Sequence, residues 1–154
     1  MNHQQISIRE LAERSIESLV VPGNVKISIT DMTTNPDAMI DIEQMTQVIT
    51  NLIKNAIDAM PKGGSIELVL EDTLGDILIT VKDSGTGIKE EDKAKIFEPF
   101  FTTKGIGLGT GLGLATAYGV VKMHKGHITV ESNTDPSKGP TGTSFMIVLP
   151  RRKE

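Results

Sequence analysis

Apolar and polar residues alternate along this chain with two distinct periods, and the switches between them mark its elements. Ile8, Leu11, Ala12, Ser15, Ile16 and Leu19 recur at helical spacing behind Ser7-Ile8-Arg9-Glu10, which has the form of a capping box. Pro22-Gly23-Asn24 is expected to stop this helix, and residues 25–30 alternate as a strand. Residues 1–6 are read as a ragged polar leader, and residues 33–37, with Pro36, as a loop. The helical period returns over 41–60 and ends at Pro61 and Gly63-Gly64. Ile66, Leu68 and Leu70, then Ile77, Ile79 and Val81, repeat at a period of two. The Leu74-Gly75-Asp76 turn between them predicts an antiparallel pair. Residues 83–113 are rich in Gly and Thr, with helical character only near 90–97. A helix over 112–123 and strands at 127–131 and 143–149 complete the pattern.

Helices and strands mix here without regular βαβ alternation. The pattern predicts an α+β fold: a two-layer α/β sandwich with one mixed, mostly antiparallel sheet of about five strands and helices on one face. The 154 residues suit one domain, spanning 7–154 after the leader. With no cysteine, thiolate metal sites and thiol chemistry are excluded, and a reducing compartment is consistent. A net charge of −4 and 3% aromatic content argue against a nucleic-acid partner. No apolar run reaches membrane-spanning length, and the first residues lack the order of a signal peptide. The expectation is a cytoplasmic, monomeric domain without direct membrane contact, any anchor belonging to a longer parent protein.

Three segments carry candidate chemistry. Asn51 and Asn55 sit one turn apart in the second helix, within a polar stripe that includes Gln47, Lys54 and Asp58. Asn is a mediocre helix former, because its amide competes with the backbone. A solvated face is the plain reading of either residue. The pair also suits a hard cation, since a neutral carboxamide holds Mg²⁺ without adding negative charge beside phosphates. Next, Asp83-Ser84-Gly85-Thr86-Gly87-Ile88 follows a strand directly. It puts a fixed acceptor beside backbone that can approach a planar ligand closely, although glycine turns capped by Asp are common. Last, Gly105, Gly107, Gly109, Gly111 and Gly113 occupy every other position and run into a helix N-terminus, a natural anion site. Leu108, Leu112 and Leu114 between the glycines distinguish this stretch from a plain linker. There is no Gly-Lys dipeptide and no G-x-G-x-x-G, so neither a Walker A loop nor a dinucleotide fingerprint explains it.

In order, these segments resemble the ATP-binding domain of sensor histidine kinases, part of the wider group that includes DNA gyrase and the mismatch-repair ATPases. QVITNLIKNAIDA at 47–59 looks like the N box of that family and DSGTGI at 83–88 like its first glycine box. IFEPFFTTK at 96–104 is similar to the Phe box, and residues 107–132 to the second glycine box and beyond. GTSFMIVLP at 142–150 matches the closing strand. Four boxes in order cover most of residues 40–150, and EPFFTTK most resembles kinases of the nitrogen-regulatory type.

The resemblance implies a Bergerat-type ATP-binding fold and a role for each residue. Asn55 would coordinate Mg²⁺, with Asn51 contacting metal or phosphate. Asp83 would accept the adenine amino hydrogen, Gly85 and Gly87 would shape the base pocket, and Ile88 and Thr143 would also bind the nucleotide. Thr102, Thr103 and Lys104 would lie in a lid, Lys104 being the candidate for the γ-phosphate and, with Asn51, for catalysis. Gly107, Leu108, Gly109, Thr110, Gly111, Leu112 and Gly113 would hold the phosphate chain. Phe97, Phe100 and Phe101 are read chiefly as lid packing. Many family members carry a basic and then an aromatic residue where Asp58 and Ala59 stand, so Lys54 or Lys104 is expected to supply the positive charge. Gly139-Pro140-Thr141-Gly142 is slightly longer than the usual glycine turn.

A complete kinase of this kind also needs a phospho-accepting histidine on a dimeric hairpin domain. His3, His124 and His127 match no such motif and no zinc site, and all three are assigned to the surface. The implied function is donation of the γ-phosphate of Mg²⁺–ATP to a histidine on a separate domain, serving a response regulator indirectly. Related ATPases use a Glu where Asn51 stands, and an amide is a poor base, so hydrolysis should be slow. The rivals are a serine-directed kinase of the anti-sigma-factor kind, which usually retains that Glu, and a nonenzymatic nucleotide-sensing module.

Overall fold

The computed structural model describes residues 1–98 and 113–151. The elements run β1 (His3–Ser7), α1 (Ile8–Glu17), β2 (Val25–Asp31), β3 (Asp37–Asp41), α2 (Ile42–Asp58), β4 (Gly64–Asp72), β5 (Asp76–Asp83), α3 (Glu90–Lys93), α4 (Gly113–Met123), β6 (His127–Asn133) and β7 (Gly142–Pro150), with a 3₁₀ turn at Pro136–Lys138.

Side-chain caps set where the long helices begin. Ser7 Oγ accepts the Glu10 N–H at 3.4 Å, and Asp41 Oδ1 accepts the Gln44 N–H at 3.1 Å. The amphipathic period of α2 then turns Val48, Ile49, Leu52, Ile53 and Ala56 inward, all buried. Burying each of the larger side chains contributes about 2 kcal/mol.

The main sheet has five strands in the order β2-β4-β5-β7-β6. The β2–β4 pair is parallel and the other three are antiparallel, as expected for a mixed, mostly antiparallel sheet. One face carries Ile66, Leu68 and Leu70, Ile77, Ile79 and Val81, and Phe145, Ile147 and Leu149, all buried in one core with the apolar sides of α1, α2 and α4. Alternate residues such as Lys82, Thr129 and Glu131 stay on the other face and are exposed.

Three sequence expectations give way. The supposed ragged leader is strand β1 from His3 onward, paired antiparallel with β3, and its Ile6 is buried. A strand with one inward apolar residue has no visible period, and its partner lies over thirty positions away. The first helix ends at Glu17, ahead of Pro22. Ser18 caps it, and the hydroxyls of Ser15 and Ser18 donate to the carbonyls of Leu11 and Ser15, local bonds that compete with helix continuation. The helical stretch near 90–97 contracts to α3, followed by turns that bury Ile96.

Candidate functional site

The site is built at one end of the sheet and along α2. Asp83 closes β5 on the core-facing side and is buried. Its Oδ1 accepts two backbone N–H groups, Gly85 at 2.8 Å and Thr143 at 3.2 Å. Burial pushes the carboxyl above its ordinary range, and the two N–H donors pull part of the way back. Pinned through one oxygen, the carboxyl group holds its other oxygen in a fixed orientation.

The loop beyond Asp83 depends on its glycines. A side chain at Gly85 would sit 2.8 Å from the Ala59 carbonyl oxygen, so the loop lies directly on the C-terminal end of α2. Gly87 adopts φ +85°, and a Cβ there would strike the Asn133 backbone. Ile88 then donates its N–H to Ser132 Oγ at 2.6 Å. Thr143 pairs in register with Asp83 on one side and with Ser132 on the other, forming a row across β5, β7 and β6. The predicted nucleotide-binding residues Asp83, Gly85, Gly87, Ile88 and Thr143 are thereby brought together.

Midway along α2, the half-buried Asn51 donates from Nδ2 to the carbonyl of Gly113, the first residue of α4, at 3.2 Å. That bond settles the amide's orientation, because Oδ1 could not face a carbonyl oxygen. Oδ1 is therefore the atom able to serve as an oxygen ligand. Asn55 stands one turn further on, half-buried, with Lys54 exposed beside it. Thr102, Thr103, Lys104, Gly107, Leu108, Gly109, Thr110, Gly111 and Leu112, with Phe100 and Phe101, lie outside the described residues. Phe97 packs as expected, its ring 5.4 Å from that of Tyr118 and 6.2 Å from that of Phe145.

Residues 40–153 match the family model of histidine kinase-, DNA gyrase B- and HSP90-like ATPases. The chain belongs to this ATPase family. Its relatives include sporulation kinase A of Bacillus subtilis, 42% identical over 73% of this chain, and the sensor histidine kinase ZraS of Escherichia coli, 34% identical over 98%. The chain spans only 17% and 32% of those two proteins. Among solved structures it resembles the mycobacterial sensor histidine kinase MprB, with a TM-score of 0.80, 29% identity and 99% of each chain covered. It also resembles the catalytic domain of histidine kinase ThkA, with a TM-score of 0.81, 28% identity and full coverage of both chains. A structure of ThkA in complex with the response regulator TrrA matches at a TM-score of 0.74 and 25% identity, over 97% of this chain and 42% of that one.

As a histidine kinase-type ATPase domain the chain binds ATP, and its residues suit Mg²⁺ as well. Among the described residues no three or more His, Asp or Glu side chains group as a metal cluster. Asn51 and Asn55 carry carboxamides one turn apart, a ligand type that fits an ion drawing its remaining ligands from phosphate and water. Among the described residues no helix is long and apolar enough to cross a membrane.

One residue escaped the sequence reading. Ser132 touches Ile88, Gly142 and Thr143, but nothing in ITVES separates it from any polar strand residue. Only the pairing register reveals it.

Proposed function

We propose that the domain holds Mg²⁺–ATP and donates its γ-phosphate to a histidine on a separate, dimeric phospho-acceptor domain, which then serves a response regulator. Adenine lies against Asp83 and the Gly85–Ile88 loop, with the phosphates toward Asn51, Asn55 and the start of α4. The eight steps from Asn51 in α2 to its C-cap Ala59 span roughly 12 Å, a length an extended nucleotide triphosphate bridges. Lys54 or Lys104 supplies positive charge, Lys104 being the candidate for the γ-phosphate. When bound, Mg²⁺ neutralises phosphate charge, held by Asn55 and Asn51 Oδ1. Thr102, Thr103 and the Gly107–Gly113 segment, with Leu108, Thr110 and Leu112, form the lid. The parent protein works on the cytoplasmic side.

The observation that carries this reading is Asn51. It occupies the place where related ATPases hold the carboxylate that activates water, and its Nδ2 is committed to the Gly113 carbonyl. An amide so held cannot take a proton from water, so the acceptor of the phosphoryl group comes from outside the domain.

The test mixes the chain with a separately prepared hairpin phospho-acceptor domain and γ-labelled ATP. Acid-labile, base-stable label on the hairpin is expected. Acid-stable label would overturn the reading in favour of a serine-directed kinase, and absence of label in favour of a nucleotide-sensing module.

A further inference from the structure

Ser132 makes three contacts through one hydroxyl oxygen: the Ile88 N–H at 2.6 Å, the Gly142 carbonyl at 2.9 Å and Thr143 Oγ1 at 2.9 Å. A serine hydroxyl has one proton to donate and two lone pairs with which to accept. The Ile88 N–H can only donate, so it takes one lone pair. The Gly142 oxygen can only accept, so it takes the Ser132 proton. The third contact then closes only if Thr143 donates its own proton to Ser132 Oγ. Any other assignment leaves two oxygens 2.9 Å apart with no proton between them, at a site where Thr143 is 5% exposed.

This chain of donors fixes the polarity of the Thr143 side chain. With its proton committed to Ser132, Thr143 Oγ1 presents only lone pairs to its surroundings. Thr143 stands directly beside Asp83 in the β5–β7 register, and Asp83 Oδ1 accepts the Thr143 N–H. Directly opposed residues of a pair share a face, so the two side chains form one surface. That surface offers acceptors alone: the second carboxylate oxygen of Asp83 and the hydroxyl oxygen of Thr143.

We propose that Ser132 is a specificity-determining positioning residue, which acts through Thr143 to make the base pocket a pure acceptor surface. Resting on the assignment of Asp83 to the adenine end, this surface accepts a purine whose six position carries an amino donor. It rejects one carrying a carbonyl oxygen, because two acceptors then face each other in a buried site. Without Ser132 the Thr143 hydroxyl rotates freely and can donate to the carbonyl. The Ile88 N–H also loses its partner, which loosens the loop for both nucleotides alike.

The experiment measures Mg²⁺–ATP and Mg²⁺–GTP binding to the full chain by titration calorimetry, for wild type, S132A, T143V and the double variant. In wild type ATP binds more tightly than GTP. S132A is expected to lower the ATP/GTP affinity ratio about tenfold, the scale of one buried hydrogen bond. In the T143V background the same substitution leaves the ratio unchanged, because the hydroxyl it controls is gone. An unaltered ratio in S132A, or an equal fall in the T143V background, would overturn the role of Ser132. An unaltered ratio in T143V alone would also overturn it. Failure of the underlying assignment looks different: wild type itself would show no preference between the two nucleotides.

Discussion

Asp83, assigned to the adenine end, is a buried carboxyl that works against the fold at neutral pH. Its carboxyl is raised above the ordinary range by burial, against the pull of the Gly85 and Thr143 N–H groups. A raised folded-state value means that the group's contribution to stability is fully present below the unfolded value, about 4. That contribution is lost as pH rises through the folded value, so at neutral pH the buried charge opposes folding. Asp83→Asn keeps an oxygen for both backbone donors and removes the charge. It should melt at or above the wild-type temperature at pH 7, with the advantage shrinking as pH falls through the raised folded value toward about 4. Mg²⁺–ATP affinity should fall at least about tenfold with the loss of a charge-assisted acceptor. Thermal melts across pH with calorimetry check both, and a variant destabilised at pH 7 that binds ATP normally would refute the account. That Asp83 is a fixed acceptor was legible from its place at a strand end before two glycines. The burial that raises it was not, since that comes from α2 and β7.

Helix α4 is tied at both ends to α2 or its N-cap, and neither joint is legible in the local sequence. Near the phosphate end Asn51 holds Gly113. At the far end of α4, His124 accepts the Asp41 N–H at Nε2, 3.1 Å away, while Nδ1 donates to the Val120 carbonyl at 2.9 Å. His124 is 5% exposed and lies 5.2 Å, ring to ring, from His3, which corrects its assignment to the surface. His127 is exposed as expected. Lys122 and Lys125 around His124 make the local sequence look solvated. The residue that buries it belongs to the start of α2, more than eighty positions away. His124→Ala would leave the Asp41 N–H without its side-chain partner and open a cavity where β1, α2 and α4 meet. A loss of about 2–4 kcal/mol in denaturant unfolding is expected; a change below about 0.5 kcal/mol, the range of neutral surface substitutions, would show that the joint carries no stability.

At the scale of the whole molecule, a clasp gathers three distant stretches of chain. Asp72, at the end of β4, accepts the N–H groups of Thr34 at 3.0 Å and Asn35 at 2.9 Å, and Arg151 Nη2 at 2.9 Å. Arg151 also donates to the carbonyls of Asn35 and Thr73. Chiefly through the Thr34 and Asn35 N–H groups, and also through Arg151, the Asp72 carboxyl is held down at about 2. A depressed value stabilises the fold above the unfolded value and is lost as pH falls toward 2. Asp72→Asn should therefore melt below wild type at pH 7, with the gap closing between about pH 4 and 2. A gap that persists unchanged at pH 2 would sink this assignment.

The two periods of the chain, 3.6 and 2, determined the main helices, the five strands of the sheet and the face each turns inward, because burial of an apolar stripe is a local property of sequence. Motif order determined the ATP-binding family. Tertiary structure alone decided that residues 3–7 form a strand, that His124 is buried and that Ser132 controls Thr143. Each of these depends on a hydrogen-bond partner distant along the chain or across a strand register, and no local pattern encodes such a partner.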